Sequence, residues 1–145
     1  MEFIKSCYDP DTGFSFVIMQ HLGKKFTGIA RLHPDDKKNA SQYAGCELAE
    51  IRATIYALKY ERKIAKNKAD QALDFYKSCV GYANYDRESD TAKVILRQLN
   101  QRIKKVNDLT DQINELMDAA DRQIRNRAVA ARILKKVKEM PKEVK

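Results

Sequence analysis

A chain of 145 residues, 43% of them hydrophobic, with 28 Lys and Arg against 20 Asp and Glu and a formal net charge of +8, has the size of one domain and is predicted as a single unit over 1–145. No apolar run approaches the roughly 18 residues of a membrane span, and Met1-Glu2-Phe3-Ile4-Lys5 lacks the apolar core of a secretory signal. Composition therefore excludes a helical membrane protein and predicts a cytoplasmic one with no membrane partner, in which Cys7, Cys46 and Cys79 are buried free thiols.

The first third of the chain reads as a small antiparallel β meander over 1–33. Met1 to Tyr8 is a strand candidate, and Asp9-Pro10-Asp11-Thr12-Gly13 is a turn, its proline fixing φ and its glycine closing the loop. Phe14 to Gln20 is an aromatic-rich strand, and His21-Leu22-Gly23-Lys24-Lys25 turns the chain into a third strand, Phe26 to Leu32. His33-Pro34-Asp35-Asp36 ends that strand.

Ser41 is a plausible N-cap for a long helix over 41–81. Leu48, Ile51, Ile55, Leu58, Ala65, Ala69, Ala72, Tyr76 and Cys79 recur at alternating steps of three and four, interrupted at Arg62, as in a coiled-coil seam. Gly81 stands where a C-terminal glycine cap is expected, and a polar turn follows. A second helix is predicted over 90–140, stopped by Pro141. Its seam is assigned to Leu96, Leu99, Ile103, Val106, Thr110, Ile113, Met117, Ala120, Ile124, Ala131 and Leu134, broken at Arg127. Two long amphipathic helices joined by a short turn make an antiparallel, coiled-coil-like hairpin, so the fold class is mainly α, of the α+β type.

Catalytic chemistry finds little support. Neither His21 nor His33 has a serine or cysteine at a nucleophile–base spacing, and no glycine-rich phosphate loop follows a strand. Asp35-Asp36 and the group Asp86, Glu88 and Asp90 match no calcium-loop pattern and read as capping and solvation of helix ends. The expectation is a non-enzymatic protein without cofactor or metal.

Binding is better represented. Arg52, Tyr56, Lys59, Tyr60, Lys63 and Asn67 fall in one stripe on the first helix, where cations neutralise phosphates and tyrosines stack on bases; the competing reading packs the tyrosines under the meander and leaves the lysines solvated. A second basic stripe, Arg122, Arg125, Arg132 and Lys136, suits nucleic acid, an acidic protein groove or an anionic membrane surface, or is a solvated helix end. On the second helix Ile95, Leu109, Leu116 and Ala130 form a row beside the assigned seam. One partner helix does not cover both rows, so a homodimer through Leu109 and Leu116 is predicted.

The segment Phe26-Thr27-Gly28-Ile29-Ala30, His33-Pro34-Asp35-Asp36 and Cys46-Glu47-Leu48-Ala49-Glu50-Ile51-Arg52-Ala53 resembles small uncharacterised proteins of Gram-positive phages and prophages. That resemblance implies a setting: such proteins are often inhibitors of host defence, including anti-CRISPR proteins, or accessory factors of DNA replication and recombination. Many such inhibitors are acidic mimics of DNA, whereas this chain is basic and would engage nucleic acid or an acidic face of a nucleoprotein. The leading expectation is a blocker of a host defence nucleoprotein complex, followed by a stand-alone nucleic-acid-binding accessory protein and then by a coiled-coil assembly or virion component.

Overall fold

The computed structural model describes residues 1–31, 42–82 and 84–139, with the side chains of 42–44, 126–135 and 137–139 left out. His33 to Asp36, the expected cap Ser41, and Met140 with Pro141 lie outside the described residues. The order of elements is β1 (Glu2–Tyr8), β2 (Phe14–His21), β3 (Lys24–Arg31), α1 (Gln42–Val80) and α2 (Asp90–Glu139). The fold is mainly helical and of the α+β type, two long packed helices with an N-terminal antiparallel sheet ordered β1-β2-β3. Two compact units divide the chain, one of residues 1–57 with 115–145 and one of residues 58–114.

In the first unit, Asp9 organises the β1–β2 loop. Its carboxylate accepts from the Asp11 amide at 3.0 Å and from the Thr12 hydroxyl at 2.9 Å, while its backbone carbonyl takes the Gly13 amide at 2.8 Å. The β2–β3 turn is tighter than the five residues expected from sequence. Lys24 and Lys25 belong to β3, and only Leu22 and Gly23 form the loop, at φ 52° and 74°. Two positive φ values suit the right-handed twist of a two-residue hairpin, but the first of them falls on a leucine whose Cβ is crowded there. Leu22 is 54% exposed, so little burial is lost with its side chain. Leu22→Asn should raise the unfolding free energy by roughly 0.5–1 kcal/mol in a urea titration, and a destabilised variant would contradict this account of the turn.

β2 alternates strictly: Ser15, Val17 and Met19 are buried, while Phe14, Phe16, Ile18 and Gln20 between them are half-buried. The inward row packs on α1 with Ala30, Leu48, Ala49, Ala53 and, from α2, Ala120. Small residues set this contact. A Cβ at Gly28 would collide with the carbonyl oxygen of Ala49, and one at Gly45 would meet the Ser15 hydroxyl at 2.5 Å, so strand and helix touch through their backbones. Ser15 Oγ is buried there with no hydrogen-bond partner among the described residues. The thiols are free but not buried: Cys7 is exposed on β1, which is exposed along nearly its whole length, and Cys46 and Cys79 are half-buried on α1.

In the second unit, α1 packs on α2 as an antiparallel hairpin. Leu58, Ala65 and Ala69 are buried as expected, with Ala72, Tyr76 and Cys79 half-buried. Arg62, the interruption of that seam, donates to the Thr110 hydroxyl at 3.5 Å, and that hydroxyl in turn donates to the Val106 carbonyl at 3.0 Å. Gly81 does not adopt the left-handed cap geometry expected of it; its amide donates to the Lys77 carbonyl at 3.2 Å and Tyr82 closes on Cys79. Ser89 caps α2, its hydroxyl accepting from the Ala92 amide at 3.2 Å, while Asp86 accepts from the Glu88 amide at 3.0 Å in the loop before the helix.

The seam of α2 is rotated from the one assigned by sequence. Within the second unit Ala92, Leu99, Leu109 and Ile113 are buried, while Leu96 and Ile103 are 42% and 41% exposed. In the first unit Leu116 is half-buried and Ala120 buried, while Met117 and Ile124 are each 45% exposed. Leu109 is thus covered within the chain and Leu116 partly so, which removes the exposed leucine row that the homodimer expectation started from. No described helix is long and apolar enough to cross a membrane.

Candidate nucleic-acid interface

The residues of the proposed stripe on α1 are unevenly exposed. Arg52 is half-buried, and its guanidinium donates to the Ile29 carbonyl of β3 at 2.7 Å, so it serves the fold. Tyr60 is half-buried as well, whereas Tyr56 is 51% exposed, and Lys59, Lys63 and Asn67 are exposed. The two lysines remain available to an anion; the arginine does not. On the far part of α2, Arg122, Arg125 and Lys136 are exposed, and Arg122 Nε leans on the Asp118 carbonyl at 3.4 Å. Arg132 belongs to α2, but its side chain lies outside the described residues.

A third cationic surface was not singled out by the sequence reading. Between Thr91 and Asn107 the chain has Lys93, Arg97, Arg102, Lys104 and Lys105 and no acidic residue. All five are exposed on α2. Lys93, Arg97, Asn100 and Lys104 follow one another at helical spacing on one face, where with Leu96 and Gln101 they line a shallow depression of about 420 Å³. Lys105 faces the other way and meets Glu61 of α1 at 3.7 Å, with its side chain 62% exposed. An exposed pair of this kind contributes about 0–1 kcal/mol. The signal was present in the sequence as the absence of acids over several turns, a feature that a search for dense positive charge overlooks.

The lining of the depression suits the binding of an anion. Among the described residues no three His, Cys, Asp or Glu side chains converge as a metal site would require. The depression is lined by cations, amides and one leucine, with no general base beside a nucleophile. Comparison with protein families, with curated proteins and with solved structures returns no match for the chain.

Proposed function

We propose that the chain is a non-catalytic binding protein that engages the nucleic-acid-bearing face of a nucleoprotein complex and acts by occupying it. One observation carries the reading: the acid-free cationic face of α2 between Thr91 and Asn107, whose lysines, arginines and amides suit the phosphates of a nucleic-acid backbone. The same cationic lining also supports the second form of the reading, a stand-alone nucleic-acid-binding accessory protein. The phage setting and the inhibition of a host defence complex rest on the resemblance in residues 26–53, and they give the blocked complex its proposed identity.

Lys93→Glu, Arg97→Glu and Lys104→Glu together should weaken binding to a short DNA duplex at least tenfold and flatten its salt dependence by about 0.9 in log–log slope for each phosphate no longer neutralised. Lys59→Glu with Lys63→Glu should have a smaller effect in the same direction. Fluorescence anisotropy at several salt concentrations reads both. Unchanged affinity in the triple variant, with helix content intact by circular dichroism, would reject this face. Capture from a bacterial lysate with and without nuclease then separates the two forms: a blocker of a complex retains a protein partner after nuclease treatment, and a stand-alone binder loses what it captured.

A further inference from the structure

We infer that the outward face of the three-stranded sheet is a stacking platform for the unpaired bases of single-stranded nucleic acid. The inference rests on the reading that the chain engages nucleic acid, and it concerns a surface separate in kind from the cationic helix face.

The strand register places the side chains. Antiparallel partners share a face of the sheet, and the buried row Ser15, Val17 and Met19 marks the face against α1. Phe14, Phe16 and Ile18 therefore point the other way, next to their partners Arg31, Ile29 and Thr27 on β3 and, for Phe16 and Ile18, Cys7 and Lys5 on β1. The rings of Phe14 and Phe16 lie 6.0 Å apart at 28° to each other, and Ile29 is 45% exposed. Around this apolar patch stand Lys5, Lys25 and Arg31, with the acid Glu2 at one end and Asp9, whose amide donates to the Phe14 carbonyl at 2.9 Å, at the other; the Arg31 guanidinium carbon sits 5.1 Å from the centroid of the Phe14 ring.

Aromatic rings on an open sheet with cations at the rim are what an unpaired strand needs, since every base offers a π face to a ring and every phosphate a charge to a cation. A duplex does not fit the same surface, because its bases are stacked on each other. A second copy of this chain does not fit it either: two-fold packing would set one cationic rim against another. The charge on the rim thus favours an anionic strand over a copy of the protein.

The experiment uses the full chain and two probes of about 20 nucleotides, oligothymidylate and an abasic strand with the same phosphodiester backbone. The platform predicts that oligothymidylate binds roughly tenfold or more tightly than the abasic strand, and that Phe14→Leu with Phe16→Leu, which keeps an apolar sheet face but removes the rings, erases that preference. Alanine replacements serve as a second pair of variants, with circular dichroism showing whether the sheet is kept. Equal affinity of the wild-type protein for the two probes overturns the platform while leaving the cationic-face reading intact. Binding of neither probe, and of no duplex, overturns both. A preference for oligothymidylate that survives in the folded Phe14→Leu, Phe16→Leu protein places base recognition elsewhere and also overturns it.

Discussion

Gly28→Ala should detach the sheet from α1 at a cost of about 3 kcal/mol or more, the upper range for overpacking a core. The added methyl would collide with the Ala49 carbonyl oxygen and lie 2.6 Å from the Ala53 amide nitrogen, and both are helix backbone. A flexible side chain would swing aside; a helix turn cannot. Ala49 and Ala53 are themselves fully buried, so their surroundings leave no slack for the helix to retreat without opening Val17 and Ala30 to water. Chemical unfolding together with amide exchange on β2 and β3 reads the effect. Gly23→Ala is the control: nothing stands within 4 Å of its Cβ, and only the φ of +74° opposes it, at roughly 1 kcal/mol. Gly28→Ala with wild-type stability would mean that the helix does not rest on the strand.

Leu109→Ala and Ile113→Ala should each destabilise the chain by about 2–4 kcal/mol, and Ile103→Ala by under about 1 kcal/mol. Ile113 is 1% exposed and Leu109 6%, so each truncation removes buried methylene groups and leaves a cavity. Ile103, at 41%, already meets water over much of its surface. The contrast is a test of helix phase. If Ile103→Ala proved costly and Leu109→Ala cheap, the seam would lie where the sequence first placed it.

That phase is where sequence reasoning misled. Leu99, Val106, Ile113 and Ala120 belong to both candidate rows on α2, and the rows differ in what lies between: Leu96, Ile103, Thr110, Met117 and Ile124 on one side, Ile95, Arg102, Leu109, Leu116 and Gln123 on the other. Arg102 and Gln123 made the second row look broken. In the structure Arg102 is exposed and Gln123 is half-buried, its side-chain oxygen lacking a hydrogen-bond partner among the described residues, so the true seam tolerates two polar residues while it buries Leu109 and half-buries Leu116. Periodicity gives a row's direction; the partner helix decides which of two adjacent rows is covered.

The strands were legible from alternation and turn residues, and the two helices from their unbroken pattern and the loop between them. The two-residue β2–β3 turn was not, because Leu22 is an unlikely residue for positive φ and Lys24-Lys25 resembles a loop. Of the candidate binding residues, Lys59 and Lys63 kept their exposure, whereas Arg52 was taken up by a carbonyl 23 positions back in the chain, a contact no local pattern announces.

That contact also bears on how the protein behaves when concentrated. From the two-residue turn outward, hydrogen-bonded pairs alternate with open ones, and the pair Phe16–Ile29 is open, so the Ile29 carbonyl points away from β2 on a strand with no further strand beside it among the described residues. An acceptor in that position invites another chain to add a strand. The Arg52 guanidinium occupies it. On the opposite border, β1 slips register between Phe3 and Lys5, and a bulge with a lysine beside it disrupts the flat row of groups that a growing fibril would copy. Both borders of this small sheet are thus closed to self-templating by local means, one by a long side chain from the helix and the other by an irregular backbone.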